Sequence, residues 1–301
     1  SEKMENIIIV GNVNLDIVAG PIHNWPEWGT EINVYKGEIR IGGSAGNTAI
    51  ALSELNSSSS VISVVGNDLF GAAFKNKFSK LGIDTGNLEI RNGKTAFSIG
   101  ITHKEDGERV FFTNEGVMNT FDLDFLTEKL KKIQNSHILF SGVNLLPGLK
   151  DPKLKNLLKK LNSKNTIYLD PGWPVEGWDS FRTHLLDILE YVHYFLPNEI
   201  EFLSLMKTSK LERAIDEYNY RFNNKAIIKM GSRGSLLLED GIKTFNKTTS
   251  SDCVIDTIGA GDSFNAGILY SSARSKNIDF KIANEISRKW IEGKFRDIIL
   301  L

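Results

Sequence analysis

Short apolar runs alternate regularly with amphipathic helical segments along most of this chain. Seven runs predict buried strands: 7–10, 61–65, 137–140, 166–169, 192–196, 226–230 and 235–238. Between several of them, apolar residues recur every three or four positions and predict helices, as in 45–55, 74–81, 123–133 and 154–161. Because strands joined through helices need crossover connections, the pattern predicts an α/β fold with a mainly parallel sheet covered on both faces.

Two segments, 14–40 and 91–115, depart from this alternation and contain no helical pattern. They hold strand-like pieces at 31–35, 96–101 and 109–112, and the turn at 105–108 predicts a hairpin. We therefore expect a small β-sheet that stands off the main domain. The predicted division is a core of residues 1–13, 41–90 and 116–301, and a discontinuous lid of residues 14–40 and 91–115.

Charge and composition exclude several classes of function. Lys and Arg total 36 against 37 Asp and Glu, and this balance argues against a nucleic-acid partner. The apolar runs are far shorter than the ~20 residues of a membrane helix, and the first ten residues carry no cleavage signature. Cys253 is the only cysteine, so no intrachain disulfide can form. We expect a cytoplasmic enzyme with no membrane partner.

A glycine-rich turn at 256–264 is the first candidate for chemistry. It follows a strand-like piece and precedes a predicted helix, and Gly259, Ala260 and Gly261 carry at most a methyl group. Their amides would lie at a helix N-terminus, where unpaired donors and the helix dipole favour an anion. Asp262 would lie within reach of whatever attacks that anion. The alternative interpretation is a tight turn in which Asp262 caps the helix.

A second glycine-rich stretch, 41–47, precedes the 45–55 helix. Gly42 and Gly43 leave open space, and Asn47 offers a donor and an acceptor for hydroxyl groups. A flexible loop is the alternative interpretation. Neither the dinucleotide fingerprint nor the P-loop motif occurs in the chain, and no zinc-like ligand spacing is present.

Three further motifs follow predicted strands. Asn198 and Glu201 have the spacing of a helix capping box. Asp16 lies a few residues past the first strand, where open α/β sheets bind ligands. The segment 229–234 is a glycine-rich turn that contains cations. Taken alone, each of the last two is more typical of an ordinary turn.

Together and in order, these motifs resemble those of the ribokinase-like (PfkB) family of carbohydrate kinases, over roughly residues 5–290. Residues 256–262 match the family's D-T-x-G-A-G-D signature. Gly42, Gly43 and Asn47 match its glycine-rich sugar motif, and Asn198 with Glu201 matches its N-x-x-E motif. The resemblance implies a three-layer α/β/α fold with a β-sheet lid that closes over the sugar and often mediates homodimers.

The resemblance also implies a role for each motif. Asp262 would be the general base, and the amides of Gly259, Ala260 and Gly261 would form an anion hole for the transferring phosphoryl group. The expected sugar ligands are Asp16, Gly42, Gly43 and Asn47. The expected nucleotide ligands are Asn198, Gly231, Ser232, Gly234 and Thr257. Glu201 and Asn198 would hold Mg²⁺, mainly through water.

Some positions depart from the family pattern. Residues 286–294 replace the alanine-rich helix and small-residue turn that help bind adenine and a monovalent cation in many members. Asp256 nevertheless matches one usual ligand position for K⁺, so a K⁺ site stays open. The segment 170–174 lacks the arginine often found in sugar-acid kinases of the family. Trp25 and Trp28 could stack on a sugar or base, or pack the lid.

We therefore expect an ATP- and Mg²⁺-dependent kinase that phosphorylates a hydroxyl, primary in the simplest case, of a small sugar or sugar derivative. A nucleoside kinase of the same fold is one alternative. A non-catalytic sugar- or nucleotide-binding protein on this scaffold is another. An NAD-dependent dehydrogenase is disfavoured because its glycine fingerprint is missing.

Overall fold

A computed structural model of the chain describes residues 4–104 and 109–298. Within them the strands are β1 (Asn6–Val10), β2 (Asn14–Ile22), β3 (Lys36–Gly42), β4 (Ser60–Gly66), β5 (Leu88–Arg91), β6 (Phe97–His103), β7 (Arg109–Asn114), β8 (Ser136–Phe140), β9 (Thr166–Leu169), β10 (Tyr194–Phe195), β11 (Lys225–Lys229), β12 (Ser235–Glu239) and β13 (Ile242–Asn246). The helices are α1 (Ser44–Glu54), α2 (Leu69–Lys80), α3 (Leu123–Leu130), α4 (Pro147–Lys150), α5 (Leu154–Leu161), α6 (Trp178–Leu189), α7 (Glu199–Met206), α8 (Leu211–Arg221), α9 (Ala260–Ser275) and α10 (Phe280–Ile291).

Nine of the described strands form the central sheet, in the order β13-β12-β11-β10-β9-β8-β1-β4-β5. Every pair from β11 to β5 is parallel, and only β12 runs against its two neighbours. All seven predicted strands are present, although the 192–196 run contributes only two residues of regular strand. The mainly parallel α/β prediction is confirmed.

Two apolar clusters cover the two faces of this sheet. Ile8 and Val10 of β1 pack with residues of α3 to α8, whereas Ile7 and Ile9 pack with residues of α1, α2, α9 and α10. Alternate side chains of one strand point to opposite faces, so β1 contributes to both layers. The result is the expected three-layer arrangement. Among the described residues, no helix is both long and apolar enough to span a membrane.

The remaining four strands form a separate sheet in the order β3-β2-β6-β7, here called the lid. β6 and β7 pair antiparallel, as the hairpin prediction requires, while its turn at 105–108 lies outside the described residues. The predicted strand at 31–35 is wrong: these residues are exposed and irregular. Gly20 pairs with Lys36, and the next residue of β2 is Pro21, which has no N–H to continue the ladder.

Candidate active site

Polar residues gather at the carboxyl ends of four strands of the central sheet. Asn12 follows β1, Asp170 follows β9, Asn198 follows β10, and Lys229 ends β11. In a parallel sheet these ends lie along one edge, where ligands of open α/β folds bind. The N-termini of α1 and α9 meet the same edge, because Thr48 Oγ1 of α1 donates to the Asp262 carbonyl at 3.2 Å.

Hydrogen bonds to α10 hold the turn that precedes α9. Trp290 Nε1 donates to the Ile258 carbonyl at 2.6 Å, and the Ile255 and Asp256 amides both donate to the Ile291 carbonyl. Gly259 has a φ of 81°, and a Cβ there would lie 2.8 Å from the Trp290 ring. Glycine is therefore required both for conformation and for space. The strand-like piece expected before this turn is absent, since residues 247–257 are irregular.

Asp262 lies in the first turn of α9, a helix of 16 residues. Asn47 Nδ2 donates to its Oδ2 at 3.1 Å. Burial and the nearby negative charge of Asp170 raise the pKa of Asp262 to about 7, against the opposing effects of Asn47 and Lys229. A carboxylate with a pKa near neutrality is suited to accept a proton at physiological pH. The structure thus joins Asn47 and Asp262, which are 215 positions apart.

Asp16 belongs to lid strand β2, and its carboxylate accepts the last of two linked hydrogen bonds from asparagine side chains. Asn14 Nδ2 donates to Asp16 Oδ1 at 2.6 Å, and Asn12 Nδ2 donates to Asn14 Oδ1 at 2.9 Å. A Cβ on Gly42 would collide with the Asp16 carboxylate, and one on Gly43 would collide with the Asn12 carbonyl. These glycines therefore make room for the polar network. Burial raises the pKa of Asp16 to about 6.

A buried ion pair between Lys229 and Asp170 lies next to the turn at Gly259–Gly261. Lys229 Nζ lies 2.8 Å from Asp170 Oδ2, and Asn265 donates to the same oxygen at 2.7 Å while accepting from Lys229 at 3.1 Å. A Cβ on Gly261 would lie 3.6 Å from Lys229 Nζ, so the ammonium is next to the proposed anion hole. Sequence reasoning did not select Asp170, Lys229 or Asn265. For Asp170 and Lys229 the available signal was a charged residue at the carboxyl end of a buried strand, and no comparable signal marks Asn265, which lies within α9.

Asn198 and Glu201 form the predicted capping box. The Glu201 amide donates to Asn198 Oδ1 at 2.8 Å, and the Asn198 amide donates to Glu201 Oε1 at 3.1 Å. Glu201 Oε2 is buried and makes no hydrogen bond. Burial and the adjacent Asp170 raise the pKa of Glu201. A buried carboxylate oxygen with free lone pairs, beside an amide oxygen, fits a hydrated Mg²⁺, which prefers oxygen ligands and retains its waters.

Gly231, Ser232 and Gly234 form a turn at the end of β11, where the Met230 amide donates to the Gly234 carbonyl at 2.9 Å. A bridge between Asn198 and Lys229 puts this turn beside the capping box. Thr257 precedes the α9 turn, and its carbonyl accepts from the Ala260 amide. These residues therefore lie along one edge, and their contact with a nucleotide stays a prediction.

Asp256, the residue that matches a K⁺ ligand position, is bound by two arginines of the lid. Arg40 Nη1 lies 2.6 Å from one carboxylate oxygen, and Arg109 Nη2 lies 2.8 Å from the other. Although burial opposes the charge, Arg40, the Ile258 amide and Arg109 hold the pKa of Asp256 below its usual range. Two guanidinium groups at this carboxylate do not fit a monovalent cation in the same place.

Comparisons with known proteins agree with this arrangement. The family described as "pfkB family carbohydrate kinase" matches residues 4–287. A nucleoside kinase from Methanocaldococcus jannaschii is 27% identical over 279 residues, covering 93% of this chain and 86% of that protein. A ribokinase from Lactococcus lactis is 25% identical and covers 93% and 87% of the two chains.

A solved structure of a putative ribokinase from E. coli, in complex with ATP and Mg²⁺, superimposes with a TM-score of 0.80. It is 19% identical, and the match covers 96% of this chain and 93% of that one. At this identity the likeness concerns the fold, and it extends over both sheets.

Proposed function

We propose that this chain, which belongs to the pfkB family of carbohydrate kinases, transfers the γ-phosphate of ATP to a hydroxyl group of a small, uncharged sugar or sugar derivative. The observation that carries the proposal is the position of Asp262. Its carboxylate has a pKa raised to about 7, follows Gly259–Gly261 in the first turn of α9, and is close enough to Asp16 for the negative charge of Asp16 to contribute to that shift.

In the proposed reaction, the acceptor hydroxyl is held by Asp16 and Asn47 and gives its proton to Asp262. The acceptor oxygen then bonds to the γ-phosphorus, while the bond between that phosphorus and the bridging oxygen of ADP breaks. Amides of Gly259 and Gly261 stabilise the charge on the transferring group, whereas the Ala260 amide already donates to the Thr257 carbonyl. Bound Mg²⁺ would neutralise charge on the β- and γ-phosphates, and Glu201 and Asn198 would hold it through water.

The side chains around Asp262 favour a neutral, hydroxyl-rich acceptor. Asp16, Asn14 and Asn47 are suited to bind hydroxyl groups. Two cations of the lid, Arg40 and Arg109, are already paired with Asp256. Within the described residues, the segment after β9 offers Asp170 instead of a cation for a carboxylate-bearing sugar. A primary hydroxyl is the simplest acceptor because it can reach Asp262 with the least crowding.

One observation favours a nucleoside as the acceptor. Arg109 points toward the core, so Phe111, two residues along β7, lies on the same face of the lid. A Cβ on Gly100 would lie 2.9 Å from the Phe111 ring, which covers this glycine and is 47% exposed. Such a ring could stack on a base. Trp25 instead contacts Phe112 on the opposite face, with ring centroids 5.8 Å apart.

The experiment that tests the proposal measures ADP release from Mg·ATP across pentoses, hexoses, phosphorylated sugars, sugar acids and nucleosides. We expect acceptor-dependent ADP release with neutral sugars or nucleosides. If ATP binds but no acceptor stimulates ADP release, the kinase proposal is wrong for these substrates and the binding-protein alternative is favoured. A preference for nucleosides that is lost in Phe111→Ala would identify the second candidate.

The activity should depend on pH through Asp262. The base must be ionised to accept a proton, and its pKa is raised to about 7. We therefore expect kcat/KM to rise about tenfold per pH unit below pH 7 and to level off above it. Rates at pH 5.5–9 with saturating Mg²⁺ provide the measurement, with Asp252→Asn, an exposed loop residue, as the control. A flat profile down to pH 5.5 would contradict the role of Asp262.

We also propose a homodimer formed through the outer face of the lid. Ile17, Ile99, Val110 and Phe112 lie on this face, and the last two are 51% and 49% exposed. An uncharged, apolar sheet face of this kind favours a partner. A second copy fits because an isologous contact lets the same face cover itself.

Sedimentation velocity tests the dimer. We expect the protein to sediment with about twice the chain mass of 33.6 kDa, and Phe112→Glu to convert it to a monomer because two charges would face each other across the two-fold axis. Tyr220→Glu, at a 90% exposed position on α8, is the control and should leave the dimer intact. A wild-type monomer at micromolar concentration would overturn the proposal.

A further inference from the structure

Asp256 connects the lid to the phosphate-binding turn. We infer that Arg40 and Arg109 form a clasp on the Asp256 carboxylate through which the lid positions the Gly259–Gly261 amides. Both arginines are thus positioning residues that act through Asp256. The inference rests on the proposed function for its effect on catalysis, but the clasp itself can be tested without turnover.

The clasp joins two lid strands to one carboxylate. Arg40 comes from β3 and reaches Asp256 at 2.6 Å, and Arg109 comes from β7 and reaches it at 2.8 Å. Arg109 Nε also donates to Thr102 Oγ1 at 3.2 Å, which orients its guanidinium toward the core. The Arg40 side chain is only 5% exposed and that of Asp256 16%, so water screens this pair less than it screens a surface pair.

Asp256 transmits the lid position to the backbone of the turn. Its Oδ1 accepts from the Ile258 amide at 2.8 Å, one residue before Gly259. The Ile258 carbonyl accepts from Trp290 on the other side. The peptide groups that lead into the anion hole are therefore held between α10, which is part of the core, and the two arginines, which belong to the lid.

This arrangement has a consequence for the timing of catalysis. If the lid moves away from the core, Asp256 loses both guanidinium partners and the Ile258 amide is held less firmly. The anion hole would then be fully ordered only when the lid covers the acceptor. Enzymes of this type must prevent transfer to water, and closure over the substrate is the usual way to do so. The clasp would make closure a condition for the ordered amides.

The kinetic test is a double-mutant cycle of Arg109→Gln and Asp256→Asn. Each single variant should lower kcat about tenfold and change the KM for the acceptor less than about threefold. In the Asp256→Asn background, Arg109→Gln should have no further effect, because residues that act through one another are not additive. Arg109→Lys should recover part of the rate, since it keeps the charge but loses the planar fork.

Arg221→Gln is the matched control, because Arg221 makes a 2.8 Å ion pair with Glu217 on α8, away from the turn. It should leave kcat unchanged. Independent, multiplicative losses for Arg109→Gln and Asp256→Asn would overturn the clasp, since they would show that Arg109 acts on the substrate directly or only on folding.

Hydrogen exchange tests the clasp without activity. Amides of a peptide spanning residues 256–264 should exchange faster in ligand-free Arg109→Gln than in the wild type or Arg221→Gln. Unchanged exchange would refute the inference. If the wild-type protein transferred phosphate to no acceptor, the proposed function would fail, while the exchange rates would still decide whether the clasp exists.

The clasp should also make the catalytic activity independent of monovalent cations. The guanidinium groups supply positive charge where Asp256 would otherwise contact K⁺. Replacing K⁺ by tetramethylammonium at constant ionic strength should change kcat less than about twofold. A requirement for K⁺ of fivefold or more would show that the arginines leave Asp256 during turnover and would overturn the clasp.

Discussion

Replacing Asp262 with asparagine should lower kcat by about 10²–10⁴-fold, the usual contribution of a general base. The amide is nearly the same size and can still interact with Asn47, so the shape of the site is kept. It cannot accept the hydroxyl proton. The KM values for Mg·ATP and the acceptor should change only a few-fold, because a general base acts mainly as the bond to phosphorus forms. Initial rates of ADP release at varied concentrations of Mg·ATP and of the acceptor give kcat and both KM values.

The same variant should be at least as stable as the wild type at pH 8. The pKa of Asp262 is raised from 3.8 to about 7 in the folded protein. The folded state therefore retains a proton that the unfolded chain has released, and the free energy of unfolding falls as the pH rises from about 4 to 7. Removing the charge removes this penalty. Urea unfolding of Asp262→Asn and of Asp252→Asn would distinguish lost chemistry from lost folding, and an unchanged kcat would exclude Asp262 as the base.

Replacing Lys229 with methionine should have the largest effect on stability. The ammonium of Lys229 lies 2.8 Å from the Asp170 carboxylate. The Lys229 side chain is only 12% exposed and that of Asp170 only 10%. Burial opposes the charge, but Asp170 and Glu201 hold the pKa of Lys229 above its usual range. Removing one member of such a pair leaves a buried charge unpaired, which typically lowers the free energy of unfolding by about 3–5 kcal/mol.

Lys225 offers a matched control on the same strand. It pairs with Glu239 at 2.7 Å, but both side chains are about two-fifths exposed, so Lys225→Met should cost less than about 1 kcal/mol. Adding Asp170→Asn to Lys229→Met should restore most of the lost stability, because no unpaired charge then remains. If the double variant is as unstable as Lys229→Met alone, the methylene packing of Lys229 matters more than its charge.

The pH profile gives a second measurement on the Lys229 variant. Lys229 lowers the pKa of Asp262, whereas Asp170 raises it. In Lys229→Met, the inflection of kcat/KM should therefore move to higher pH, and adding Asp170→Asn should move it back. We therefore expect these two buried charges to influence both the stability of the site and, together with burial, the pH at which the proposed base is ionised.

The strands and helices were predictable because the signals are local. Seven buried strands and the helices α1, α2, α3 and α5 follow from apolar periodicity within windows of about ten residues, and the capping box of Asn198 and Glu201 follows from spacing alone. The prediction failed at residues 31–35 because strand formation needs a partner. There, Pro21 on the neighbouring strand interrupts the ladder.

The candidate site was predictable where a motif is contiguous. Gly259 to Asp262, Gly42 and Gly43, and Asn198 with Glu201 are each read within a few residues, and their order resembles one family. The roles given to them stay predictions. The sequence also left Asp256 available for K⁺, because nothing near it in the chain indicates an arginine partner.

The fold class, the family and the motifs at one edge of the sheet can all be predicted from the order of the residues. Which charges meet at that edge is apparent only in the folded chain. Arg40 and Asp256 are 216 positions apart, and Lys229 and Asp170 are 59 apart. The physical reason is that periodicity and capping depend on neighbours along the chain, whereas the pKa of a buried carboxylate depends on whichever charges the folded strands bring within a few ångströms.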